Sequence, residues 1–182
     1  MERKQILKIV IVALFAALFT AGAYIKIPLA PVPVVLSTLF ALIAGSCLPL
    51  SLAVASVIVY LFLGAIGLPV FTSGGGLAAL FGPTGGYLIG LIPAVIFGSL
   101  IMKALEKHIR IASLLSAIVA TIFIYVVGLP WLSVRMGGLS VAATLSSGLV
   151  PFIIGDTLKI IVSAIIAPVI RPRIMELLER DE

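Results

Sequence analysis

The apolar runs in this chain are long and continuous, with charges only at their edges. That feature decides the solvent in which it folds. Ile6 to Ile25 is the first such run, bounded by Arg3, Lys4 and Lys8 on one side and Lys26 on the other. Of the 182 residues, 62% are hydrophobic and only 10% charged, with a mean hydropathy of +1.35. Soluble domains sit nearer 45–50% apolar and about 25% charged, and a water-soluble chain of this length has no place to hide the excess. A bilayer accepts only helices and closed barrels, because every backbone polar group must be satisfied internally. Barrel strands alternate polar and apolar residues. These runs do not alternate, so the expected fold is an all-α integral membrane protein.

A span needs roughly 20 apolar residues, with 17–25 the usual range. Six candidates follow: residues 6–25, 34–47, 50–63, 87–102, 111–131 and 148–170, forming one transmembrane domain over 1–182. The first is too long for a signal-peptide core of about 7–15 residues, despite the Ala21-Gly22-Ala23 resemblance to a cleavage site. Pro28, Pro31 and Pro33 exclude a helix interior and force an extended connection. The second and third spans are short; one long hairpin kinked at Pro49 is the alternative. Pro93 lies within the fourth span, Pro130 bends or ends the fifth, and a charged tail starts at Arg171.

Lys and Arg set orientation. With the N-terminus inside, Arg3, Lys4, Lys8, Lys103, Lys107, Arg110, Arg171, Arg173 and Arg180 are cytoplasmic, while Lys26 and Arg135 are outside. The bias puts both termini in the cytoplasm of a multi-pass cell-membrane protein. It also accounts for the net charge of +5 without nucleic acid. Cys47 is the lone cysteine and His108 the lone histidine, in a basic loop, so no metal set or disulfide is expected.

Six of the seven acidic residues, Glu2, Glu106, Glu176, Glu179, Asp181 and Glu182, lie in tails or one loop. The seventh, Asp156, falls within the sixth span, and Lys159 follows at i+3 on the same helix face. A charge at that depth costs roughly 2.5–3.5 kcal/mol on insertion scales and marks a functional site by default. The pair reads either as a structural ion pair, which stabilises little because desolvation offsets attraction, or as a polar site for a small solute.

The charge-free block Gly64 to Gly86, GAIGLPVFTSGGGLAALFGPTGG, is too irregular to face lipid. Its glycines allow close approach of backbone to a ligand, while Gly82, Gly86 and Gly90 also suit helix packing. Ala13, Ala17 and Ala21 form a ridge on the first span, either for packing within the chain or for docking another subunit. No G-x-x-x-x-G-K-[ST], G-x-S-x-G or H-E-x-x-H occurs, and no second intramembrane carboxylate accompanies Asp156 for a protease dyad. The chain is read as no enzyme, with no catalytic residue and no ATPase motif of its own.

The segments IPLAPVPVVLSTLFALIAG, GLPVFTSGGGLAALFGPTGGYLIG and GDTLK, taken with the six-span layout, resemble the biotin-specific substrate-binding (S) component of energy-coupling-factor (ECF) transporters, the BioY family. The likeness covers nearly the whole chain. It implies a six-helix S component that captures biotin from outside, with the Pro28–Pro33 connection as a lid. Ala13 and Ala17 would then dock a transmembrane coupling (T) subunit, and two ATPase subunits would supply energy. Biotin is the cargo and no cofactor is implied. Candidate ligand residues are Asp156, Lys159, Thr72, Ser73, Gly74, Gly75, Tyr87 and Arg135, with apolar walls from Val70, Phe71, Leu77 and Leu36. The family more often reads PVPVTLQT where this chain has PVPVVLST, so Val35 and Ser37 imply altered contacts. Thiamine or riboflavin would call for more aromatic stacking surface than Trp131, Tyr24, Phe71 and Phe81 supply. Which end of biotin meets each charge is left open by their closeness on one helix.

Overall fold

A computed structural model describes residues 3–179. Met1, Glu2, Arg180, Asp181 and Glu182, four of which entered the charge pattern, lie outside the described residues. The first helix, α1 (Arg3–Tyr24), is followed by a two-stranded antiparallel ribbon, β1 (Lys26–Ile27) with β2 (Val34–Val35), in which Lys26 faces Val35 and Ile27 faces Val34. Then come α2 (Ser37–Cys47), α3 (Leu50–Ala65), a single turn α4 (Leu77–Leu80), α5 (Gly85–Ala104), α6 (Ile109–Arg135), α7 (Val141–Gly148) and α8 (Ile153–Glu179). Short 3₁₀ turns precede α6 and α8.

Among the described residues, four stretches are long and apolar enough to cross a membrane: Arg3–Tyr24, Gly85–Ala104, Glu106–Arg135 and Val141–Glu179. The expected spans at 34–47 and 50–63 become helices of 11 and 16 residues. At about 1.5 Å per residue, α2 is only about 16 Å long, well short of a ~30 Å hydrocarbon core. The sequence expectation began that segment at Val34, but the chain enters it as ribbon. Val34 and Val35 pair with β1, and the Leu36 amide donates to Gly22 O at 3.0 Å and to Ile25 O at 3.1 Å. The sixth expected span also shifts. It begins at Ile153, after α7, and runs through Pro168 and Pro172 to Glu179. Bundle helices tolerate such prolines because neighbouring groups re-satisfy the freed backbone. Pro130 likewise ends nothing, since α6 continues to Arg135.

Arg171 is therefore no part of a solvated tail. It is half-buried, and its Nη1 donates to Ser46 O at 3.2 Å and Leu48 O at 3.4 Å, covering the last carbonyls of α2. Ser99 Oγ of α5 donates to Gly45 O at 3.0 Å in the same corner. The helix end carrying these carbonyls is thus satisfied by side chains from two other helices.

The core is assembled from the inner faces of α1, α2, α3, α5 and α6, with Phe19, Leu42, Val57, Tyr60, Leu91, Val95 and Ile124 nearly or fully inaccessible. The α5–α6 interface is close because α5 presents glycine there. A Cβ on Gly86 would fall 2.3 Å from Trp131 Cβ, and one on Gly90 would fall 3.0 Å from Ile124 O. Packing is thus the reason for Gly86 and Gly90, whereas Gly82 precedes α5 and a Cβ there would meet only the nearby carbonyls of Ala78 and Ala79. The alanine ridge is different: Ala13, Ala17 and Ala21 are all exposed, beside Ile9, Val10 and Leu14. That removes the internal-packing reading of this ridge.

Candidate functional site

Helices of alternating direction bring the end of α1, the starts of α2, α5 and α8 and the middle of α6 together toward one end of the bundle. Residues that the sequence separates by more than a hundred positions meet there around a cavity of about 70 Å³. Its polar centre is on α8. Lys159 Nζ donates to Asp156 Oδ1 at 2.9 Å, and the two side chains are 8% and 14% exposed. Lys159 Nζ also donates to Thr38 Oγ1 at 2.8 Å. Thr38 in turn donates to Val35 O at 3.2 Å. The hydroxyl of Tyr125, on α6, donates to Asp156 Oδ2. Both carboxylate oxygens and two of the three ammonium protons are thus directed at protein partners. Desolvation makes a buried charge without such partners expensive. What remains toward the cavity is one ammonium N–H and the second lone pairs of the carboxylate.

The cavity collects five of the eight residues expected from sequence: Asp156, Lys159, Thr72, Ser73 and Tyr87. Phe71, named as an apolar wall, also lines it. Val70 packs against the core instead, Leu77 is exposed, and Leu36 lies outside the lining. Gly74 and Gly75 are also outside it. Their glycine identity has a local cause. Gly74 adopts φ 102° and exchanges both backbone hydrogen bonds with Phe71, at 2.9 and 3.0 Å. A Cβ on Gly75 would sit 2.2 Å from Leu68 O. Both shape the loop that presents Phe71, Thr72 and Ser73.

Arg135 is exposed and stacks its guanidinium 5.0 Å from the Trp131 ring centroid and 5.8 Å from Phe81. It does not line the cavity. Tyr87 does, but its hydroxyl donates to Gly148 O at 2.9 Å, tying α5 to the end of α7. Thr72 is similarly committed: its hydroxyl donates to Ala23 O at 3.0 Å, and its carbonyl accepts from Lys26 Nζ at 3.0 Å. With the bond from the Tyr24 hydroxyl to Pro69 O, these contacts clasp the glycine-rich loop to the end of α1.

Sequence reasoning missed Tyr125, Thr38, Thr84 and Thr121, all in the lining. A hydroxyl within an apolar span is the signal that was available. Their convergence depends on how α2, α5 and α6 rotate, which periodicity alone does not give. The Pro-rich connection forms part of the cavity wall. Val32 is 5% exposed and packs with Leu132 and Phe152 beside Tyr87 and Tyr125. Val32, Pro33, Val35 and Ser37 all line the space, so the two departures noted at 35 and 37 face it directly. Among the described residues no group of three or more metal-ligating side chains occurs.

The BioY family model matches residues 1–176. A probable biotin transporter BioY from Lysinibacillus sphaericus is 37% identical over 176 residues, covering 92% of this chain and 88% of its own. The biotin transporter BioY of Thermotoga maritima is 39% identical over 157 residues, covering 85% and 89%. Among solved structures, the S-component for biotin from an ECF-type ABC transporter superposes with a TM-score of 0.82. It is 29% identical and 92% of each chain is covered.

Proposed function

Because the chain belongs to the BioY family, we propose that it takes up biotin as the S component of an ATP-driven ECF importer. The observation that carries the site assignment is the Asp156–Lys159 pair, held by Tyr125 and Thr38 inside an otherwise mostly apolar cavity. Vitamin-sized pockets are apolar with a few placed polar groups. The ureido ring of biotin carries N–H donors and a carbonyl acceptor side by side. Asp156 supplies acceptors and Lys159 the donor at matching separation, so both charges engage that ring. The acid tail is left to the hydroxyls of Ser73 and Thr84 and to backbone amides of the glycine-rich loop. Phe71, Leu88 and Leu91 flank the bicycle. Ligand pockets usually run about 300–1,000 Å³, against about 70 Å³ here, so admission requires the 26–36 connection to swing outward.

Both termini lie in the cytoplasm and the cavity opens outward, the arrangement that fits the Lys and Arg distribution. Six crossings then require α2 and α3 to be accommodated as short spans, with local bilayer thinning. The exposed Ala13–Ala17 face docks the T subunit, which joins two ATPase subunits. Exchanging the charges, Asp156→Lys with Lys159→Asp, is the test. A ligand site loses biotin binding while the protein stays folded. Retained binding with the charges exchanged would make the pair structural only.

A further inference from the structure

A second, wider recess opens on the face formed by α6, α7 and α8. Its volume is about 780 Å³, and its walls include Val126, Leu129, Leu145, Leu149 and Ile160. Three residues belong to both spaces: Thr121, Tyr125 and Asp156. The partition between a small closed cavity and a large side recess is therefore one side chain thick. Tyr125 is its main bulk. Its ring stands edge-on to Tyr87 at 6.1 Å between centroids, and its hydroxyl donates to Asp156 Oδ2. The ring is held from the cavity side by one contact and anchored at its tip by the other. Lys159 Nζ holds Asp156 Oδ1, so Tyr125 is the partner that fixes Oδ2; without it that oxygen faces recess walls that are mostly apolar and give a carboxylate little support.

We propose that Tyr125 is a specificity-determining residue that both positions Asp156 toward the cavity and walls the cavity off from the α6–α7–α8 recess. The proposal rests on the biotin reading of the site. It separates two properties of one side chain. The hydroxyl sets how firmly Asp156 presents its oxygens to ligand. The ring sets how much ligand bulk fits beside Asp156. Biotin fits with the partition closed, whereas a derivative substituted on the ureido ring, the part nearest Asp156, is excluded by it.

The test is equilibrium binding of biotin and of an N-alkylated ureido derivative to detergent-purified wild type, Tyr125→Phe and Tyr125→Ala. A hydrogen bond to a charged group is worth about 1.5–3 kcal/mol, so Tyr125→Phe should weaken biotin about ten- to a hundred-fold while still rejecting the derivative. Tyr125→Ala should weaken biotin at least as much and gain affinity for the derivative, inverting the preference. A merely structural tyrosine would weaken biotin in both variants with no gain of derivative binding in Tyr125→Ala. That result overturns the proposal, as does unchanged biotin affinity in Tyr125→Phe. Failure of the wild type to bind biotin would instead overturn the functional reading and this proposal with it.

Discussion

Replacing Gly22 by alanine sets two effects of opposite sign against each other, and the structure decides between them. Gly22 lies near the end of α1, where alanine is favoured over glycine by about 1 kcal/mol in a helix interior. Propensity alone would make Gly22→Ala stabilising. The added Cβ would, however, stand 2.6 Å from Ser37 N, 2.8 Å from Ser37 Cα and 2.9 Å from Leu36 C. All three are backbone atoms, so no side-chain rotation relieves the contact and α1 and α2 must separate. Overpacking of this kind costs about 1–3 kcal/mol, and the separation also stretches the Leu36 N–H bond to Gly22 O, worth about 1 kcal/mol. The net expectation is destabilisation by about 1–3 kcal/mol. Gly155→Ala is the control, because its Cβ would meet only Val34 Cγ1 at an ordinary 3.6 Å. Thermal unfolding of both variants in one detergent should place Gly22→Ala below the wild type and Gly155→Ala at or above it. Since Ser37 and Val35 line the cavity, Gly22→Ala should also weaken biotin binding. A Gly22→Ala protein as stable as the wild type would refute the account of the α1–α2 contact.

Tyr87→Phe removes the hydroxyl that donates to Gly148 O; it should lower stability by about 1 kcal/mol yet change biotin affinity by less than about threefold, and a loss beyond tenfold would return the hydroxyl to the ligand. Arg135→Ala should leave biotin binding intact, because the guanidinium lies over Trp131 and Phe81 outside the cavity; a cost of about 0.5–1 kcal/mol in thermal stability is expected from the lost stacking. Together the two variants measure how far polar residues near the site act on structure and how far on ligand.

The helical membrane character of the chain was legible because bilayer chemistry leaves so few alternatives. The pairing of Asp156 with Lys159 inside the bundle was legible for the same reason: charge is costly within a span, and a spacing of three puts both on one face. Tyr125 and Thr38 escaped because single hydroxyls in apolar runs are common, and only the rotation of α6 and α2 singles these two out. The glycine-rich loop was recognised as special, but Gly74 and Gly75 serve its turns, and Phe71, Thr72 and Ser73 are what it presents. The length of α2 was misjudged because Val34 and Val35 read as the start of an apolar helix. Their pairing with Lys26 and Ile27 spans the proline-rich connection, and apolar pattern alone does not encode it. Arg171 was placed in a tail because Pro172 follows it, whereas α8 continues through that proline and the guanidinium meets the carbonyls of Ser46 and Leu48.

Equilibrium binding of radiolabelled biotin to the detergent-purified protein, wild type beside Asp156→Asn, tests the central claim most directly. The account predicts saturable binding by the wild type and a loss of at least tenfold in the variant, whose amide offers the ligand one fewer acceptor and leaves Lys159 without its counter-charge. Absence of binding by a folded wild-type sample, or equal binding by both, would contradict it.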